Sequence, residues 1–174
     1  MIRHLDKNHF IEMPWKNGKG KTLEIFRFPQ ENSKAFLLRL SIAGVNEDGP
    51  FSIFPSIDRT LFLVSGHGMI LESTNQKIHL NQKWQAFHFA GEDAINCRLI
   101  NGPCQDFNVM VDRNFAKAQS STILTTNHRF NCASDMTFIY DTQKETLTIL
   151  EKEDKFRFIS ETQTLLVICN VNRI

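Results

Sequence analysis

The stretch Thr22-Leu23-Glu24-Ile25-Phe26-Arg27-Phe28, closed by Pro29, decides how the chain is read. It alternates, with Leu23, Ile25 and Arg27 predicted on one face of a strand and Glu24, Phe26 and Phe28 on the other, and a proline ends it because it cannot donate to a ladder. Working outward, Ala35 to Ala43 reads as a second strand, Leu61 to Val64 as a third, and Met69–Glu72 with Lys77–Leu80 as a hairpin around Ser73 to Gln76. Gln85 to Phe89, Ile95 to Ile100 and Phe107 to Val111 follow, each set off by turn residues at roughly ten-residue intervals. Asn114 to Ser121 is polar and reads as a connecting loop or a single helical turn, the internal boundary of the chain. Beyond it Thr122 to Thr126, Met136 to Tyr140, Thr146 to Leu150, Lys155 to Ile159 and Leu165 to Val171 are again strands. No segment sustains a 3.6-residue apolar period, so the chain is predicted to be all-β.

So many short strands must close or face each other to protect their edges, which points to a cupin-like jelly-roll barrel, an architecture whose interior is able to hold a small ligand. With 41% apolar and 22% charged residues among 174, the composition is that of a globular domain. The net charge of +1 gives no global field toward nucleic acid or an anionic membrane. Thr60 to Leu71, the longest run free of Asp, Glu, Lys and Arg, falls well short of the ~20 apolar residues of a membrane helix. Arg3, His4, Asp6, Lys7 and His9 have no apolar run behind them, so no secretory signal is read and the expected location is the cytoplasm. Cys97, Cys104, Cys132 and Cys169 form no C-x-x-C pair and read as buried, reduced thiols.

Three clusters carry candidate chemistry. Pro14-Trp15-Lys16-Asn17-Gly18-Lys19-Gly20-Lys21-Thr22 sets an aromatic surface beside a cation and an amide, which suits a small organic anion. It also reads as a basic hairpin loop, and it lacks the glycine spacing of a phosphate loop. Gly49 to Gly68 has the apolar strand and terminal glycine of a cupin metal motif, but Ser52 and Phe54 stand where histidines would ligate, and Asp58-Arg59 stands near the acidic ligand's place. His67, His79 and His88 have no partner at ligand spacing, so no metal and no other cofactor is expected. Arg59 instead suits a carboxylate, which a guanidinium holds with two parallel hydrogen bonds; a structural pair with Asp58, Glu24 or Asp106 is the competing reading. In Asn101 to Met110, Asp106 and Asn108 are spaced to share one strand face, interior or exterior, while Phe107 and Val109 compete for the core.

These blocks, P-W-K-N-G-K-G-K-T-L-E-I at 14–25, R-L-S-I-A at 39–43, G-P-F-S-I-F-P-S-I-D-R-T-L at 49–61, F-A-G-E-D at 89–93 and G-P-C-Q-D-F-N-V-M at 102–110, resemble the HutD/Ves family of cupin-like proteins over about the first two thirds of the chain. The resemblance implies one cupin-like domain over 1–174, in a two-barrel (bicupin) arrangement with the loop near 114–121, cytoplasmic and without the cupin metal. It implies a ligand-binding set of Trp15, Lys16, Asn17, Asp58 and Arg59, joined by Asp106 and Asn108. It also implies a ligand among the small carboxylates of histidine utilisation, such as urocanate or formylglutamate. The chain departs from the family where three glycines read Gly18-Lys19-Gly20, where F-P-G reads Phe54-Pro55-Ser56, and where Arg-Arg reads Asp112-Arg113.

The leading expectation is therefore a non-enzymatic sensor of a carboxylate metabolite, with no nucleic-acid or membrane partner. The alternative is a metal-independent cupin isomerase or lyase with Asp58 or His88 as general base. A homodimer built through strand edges is compatible with either.

Overall fold

The structure, a computed structural model, describes residues 1–15, 20–29 and 35–174. Apart from one 3₁₀ turn at Lys7–His9, the regular elements among these residues are strands, and every ladder is antiparallel. They divide into two compact units, Ile11–Asn114 and a second made of Met1–Phe10 with Phe115–Ile174. No helix of the described residues is long and apolar enough to cross a membrane.

The first unit holds β2 (Ile11–Pro14), β3 (Gly20–Phe28), β4 (Leu38–Val45), β5 (Gly49–Pro50), β6 (Ile57–Ser65), β7 (Met69–Glu72), β8 (Lys77–Leu80), β9 (Ala86–Ala90), β10 (Asn96–Leu99) and β11 (Cys104–Asp112). They form a six-stranded sheet ordered β2-β3-β4-β11-β6-β9 and a four-stranded sheet ordered β5-β10-β7-β8. The inner residues of both sheets make one core: Leu61 and Leu63 of β6 and Phe87 and Phe89 of β9 meet Met69, Leu71, Leu80 and Cys97. This is the two-sheet solution to edge protection that the strand pattern predicts. The other unit is a single sheet ordered β1-β14-β13-β15-β12, from β1 (Arg3–Leu5), β12 (Ala116–Asn131), β13 (Met136–Asp141), β14 (Thr146–Glu151) and β15 (Lys155–Arg173). Its core cluster includes Phe130, Ile139, Leu150, Phe158 and Ile168.

Two sequence expectations change here. Asn114 to Ser121 is not a loop: β12 begins at Ala116, and its polar run alternates exposed Lys117, Gln119 and Ser121 with more buried Ala118 and Ser120, so small residues take the inner places that apolar ones usually mark. The segments 155–159 and 165–171 are one strand, β15, with a register shift opposite Thr125 to Asn127.

The third difference shapes the site. Glu24 pairs with Ser41 and Phe26 with Leu40, leaving Ile25 as the extra residue of a β-bulge. The strict alternation of 22–28 therefore breaks, and Glu24, Ile25 and Phe26 are all buried. Beyond the bulge Arg27 pairs with Arg39, so Glu24 and Arg27, three apart and on opposite faces of a regular strand, share a face with Ser41 and Arg39.

Candidate functional site

On the six-stranded sheet, register aligns Asp106, Asn108 and Met110 of β11 with Ala43, Ser41 and Arg39 of β4 and with Leu63, Leu61 and Arg59 of β6. Because β11 lies inside the sheet with both faces buried, Phe107 and Val109 do not push the polar pair outward. Asp106, Asn108, Arg59, Arg39 and Ser41 instead line a cavity of about 620 Å³. Its remaining wall comes from Met13 to Trp15 at the end of β2 and from the connection Glu47 to Phe54.

Arg59 is 8% exposed and lies among three rings, its guanidinium carbon 4.7 Å from the centre of Phe89 and 5.5 Å from those of Phe51 and Phe54. Its Nη2 donates to Asn108 Oδ1 at 2.9 Å, and Asn108 Nδ2 donates in turn to Asp106 Oδ1. Nε of Arg59 is buried without a hydrogen-bond partner, a group that native structures rarely leave alone. Burial lowers the guanidinium to about 10, with Asp106 opposing the shift, so it stays charged at neutral pH. Burial pushes the Asp106 carboxyl up to about 7, against the pull of Arg59 and the Asn108 hydrogen bond. The wall thus combines a permanent cation with an acid that titrates near neutrality.

An ion pair stands beside it. Arg39 Nε donates to the buried Glu24 Oε2 at 2.7 Å, and Arg27 Nη1 lies 3.8 Å from the same oxygen. The β3 bulge makes this arrangement. Opposite, the half-buried Trp15 donates from Nε1 to Thr22 Oγ1 at 2.8 Å, and its ring covers Gly20, where an added Cβ would sit 3.0 Å from Cε3. The connection bearing Phe51 and Phe54 is tied down at Gly91: Phe54 N–H donates to Gly91 O at 2.8 Å, and Gly91 N–H donates to Ile57 O at 2.6 Å.

Of the residues singled out in the sequence, Trp15, Arg59, Asp106 and Asn108 are brought together, whereas Lys16 and Asn17 lie outside the described residues. Asp58 does not join them. Strand alternation turns it away from Arg59, and its exposed carboxylate accepts from Arg113 Nε at 2.9 Å, in a cluster that also holds Glu92. The partner of Arg59 is accordingly the Asn108–Asp106 pair, not Asp58 or Glu24. His67 and His79 are exposed, and exposed His88 hydrogen-bonds Thr60 Oγ1 at 2.8 Å. Cys104 is buried and its thiol is pushed up to about 12, which leaves no thiolate for a nucleophile. Among the described residues no three His, Cys, Asp or Glu side chains stand together as a metal site. None of Arg39, Glu24, Phe51 and Phe54 belongs to the ligand-binding set expected from the sequence: Glu24 enters only as a possible partner of Arg59, Phe54 as a place where a metal-binding histidine would stand, and Arg39 and Phe51 within the family-like blocks, although Arg39 has a period-two spacing with the small Ser41 and Ala43.

Among solved structures, the chain is similar to a conserved protein of unknown function from Pseudomonas aeruginosa PAO1, with a TM-score of 0.90, 24% identity and 99% of each chain covered. It is likewise similar to HutD from Pseudomonas fluorescens SBW25, with a TM-score of 0.83, 24% identity and all of both chains covered. The bacterial pirin YhhW of Escherichia coli aligns over both whole chains with a TM-score of 0.73 and 8% identity. The fold is thus all-β and cupin-like. Among curated proteins, an uncharacterized 21.2 kDa protein in the hutC 3′ region of Pseudomonas putida is 38% identical over 109 residues, 63% of this chain and 57% of that protein. Protein Ves of Citrobacter koseri is 33% identical over 126 residues, 72% of this chain and 65% of the relative. The matched region therefore spans about three fifths of the length of these relatives. The HutD family model matches residues 7–171, nearly the whole sequence, and the chain belongs to the HutD family.

Proposed function

We propose that the chain is a non-enzymatic, cytoplasmic small-molecule-binding protein that holds a carboxylate metabolite in the cavity of the first unit, with Arg59 as the carboxylate clamp. The observation that carries the reading is a buried guanidinium in a cavity wall with one N–H lacking a partner. Such a group gains most from an anion that supplies the missing acceptor, because a charge-assisted hydrogen bond in a dry site is strong. Trp15, Phe51 and Phe54 give flat apolar walls for the rest of the ligand, and Asn108 fixes the guanidinium. Lys16 and Asn17, next in sequence to Trp15, complete the proposed set. The likeness to a protein of the hutC 3′ region and to HutD supports urocanate or N-formylglutamate as the ligand and regulation of histidine utilisation as the role. The proposed partners are this ligand and a second copy of the chain, with neither nucleic acid nor membrane.

Calorimetry with urocanate and N-formylglutamate tests the reading. Arg59→Ala is expected to weaken binding by about 2 to 3 kcal/mol, a factor on the order of 100, and Arg59→Lys is expected not to restore it, lacking the planar fork. No binding of either acid, or unchanged binding in Arg59→Ala, overturns it.

One observation favours a second reading, a metal-independent isomerase or lyase acting on a small carboxylate. Asp106, not Asp58 or His88, is then the base, since an acid that titrates near 7 in a cavity accepts a proton at neutral pH. Proton-to-deuterium exchange or isomerisation of a bound acid, followed by NMR and lost in Asp106→Asn, would select it.

A further inference from the structure

The first unit's cavity wall has a property that the clamp alone does not explain. Asn108 is held in one orientation, its oxygen toward Arg59 and its amide nitrogen toward Asp106, so a cation and a carboxyl are joined across a single buried amide. Around Asn108 the charges balance when Asp106 is ionised, Arg59 against Asp106. A ligand carboxylate on Arg59 adds a second negative charge to the same dry place. Among the described residues lining the cavity the other guanidinium, Arg39, is engaged with buried Glu24, which Arg27 also approaches, and it stands opposite Met110 rather than Asp106. Two carboxyl groups facing one cation out of water hold a proton between them, as like charges in low dielectric do.

We propose that the cavity takes up its carboxylate ligand together with one proton, which Asp106 receives from solvent. This rests on the carboxylate reading above. No other bond changes: the proton leaves water or buffer and joins a carboxylate oxygen of Asp106. The groups facing Asp106 make the assignment specific. The same sheet face carries, on β6, Arg59, whose charge acts on Asp106, and, opposite Met110 on β4, Arg39 with its Glu24 and Arg27 partners from β3. The thiols of Cys97 on β10 and Cys104 on β11 are pushed up to about 12 and keep their protons. Glu47 and Asp48 lie at the exposed rim. No described lining residue is a histidine, so Asp106, raised to about 7, is the group that changes state near neutrality. The consequence is a site that prefers its anion at neutral and mildly acid pH and releases it in base.

The experiment is calorimetry of N-formylglutamate into the full chain in buffers of different ionisation enthalpy, a probe whose own carboxyls stay ionised from about pH 5.5 upward. The dependence of heat on buffer counts protons. Uptake close to one per ligand is expected near pH 8, falling toward zero near pH 5.5, where Asp106 is protonated before the ligand arrives. The apparent affinity should fall about tenfold per pH unit above the midpoint. Asp106→Asn should bind with no buffer dependence; if that variant does not fold, the buffer series on the unmodified chain decides. Binding with equal heats in all buffers near pH 8 overturns proton uptake and leaves the carboxylate reading standing. Uptake that persists in Asp106→Asn overturns the assignment to Asp106. Absence of binding in every buffer, with urocanate as well as with N-formylglutamate, overturns both.

Discussion

Asp106→Asn replaces an acid by an amide of nearly the same shape at a position 2% exposed, and its effect on stability can be worked out from the wall around it. Burial raises the carboxyl from its ordinary value near 4 to about 7. A carboxyl raised in the folded state binds its proton more tightly folded than unfolded. Its contribution to stability is therefore fully present below the unfolded value near 4 and is lost as pH climbs through the folded value near 7. Each unit of separation corresponds to about 1.4 kcal/mol, so between about pH 5 and pH 7 the parent should lose about 2 to 3 kcal/mol relative to the variant. Above about pH 8 the difference should be flat. The variant also deprives Arg59 of an opposing charge, but Arg59 lies near 10, so this enters as a constant offset across the window while the slope isolates Asp106. Carboxylates common to both proteins cancel in the difference. Urea unfolding followed by tryptophan emission is the assay: Trp15 and Trp84, the two tryptophans of the chain, both belong to the unit Ile11–Asn114 that carries Asp106. Parallel stability profiles for parent and variant from pH 5 to pH 8 would refute the reasoning and mean that Asp106 ionises in the fold as readily as in water.

Gly91→Ala should destabilise the first unit by about 1 to 3 kcal/mol, because its Cβ would fall 2.3 Å from Phe54 O and 2.8 Å from Ile57 O, both backbone atoms that must move. Gly44→Ala, whose Cβ would meet nothing nearer than Lys21 O at 3.8 Å, should be neutral or stabilising by up to about 1 kcal/mol; urea unfolding checks the pair, and equal effects would show that the close approach at Gly91 costs nothing. Asp58→Asn removes one arm of an exposed ion cluster and should change stability by no more than about 1 kcal/mol, with N-formylglutamate binding unchanged by calorimetry; a large loss of binding would return Asp58 to the site.

What the sequence showed and what it hid follow from the range of the physics involved. The hairpin Met69–Glu72 with Lys77–Leu80 emerges with the predicted bounds, because alternation and a polar turn are both local. The bulge at Ile25 is invisible in the string: the alternation of 22–28 is intact as written, and only the pairing with β4 reveals that one residue has no partner. That single residue brings Glu24 and Arg27, which regular alternation puts on opposite faces, onto one face with Arg39 and so creates the ion pair beside Arg59. The opposite failure occurs at Ala116 to Ser121, where small and polar residues conceal a strand whose burial comes from its neighbours, not its own hydrophobicity. At the site, Arg59 could be singled out by chemistry but not given a partner, since Asp58 is adjacent in sequence and Asp106 is adjacent in space. The period of two decides between them. Consecutive residues on a strand point apart, so Asp58 is the candidate least able to face the same cavity as Arg59, whereas a residue on the neighbouring strand β11 is free to do so. Asp106 and Asn108 carried the same ambiguity because Phe107 and Val109 look like core; they are core, and on a strand inside a sheet with both faces buried that does not send their neighbours to solvent. A polar pair two apart followed by Val109, Met110 and Val111 and interleaved with Phe107, on a strand buried on both faces from Asp106 to Val111, is thus better read as the lining of a cavity than as surface.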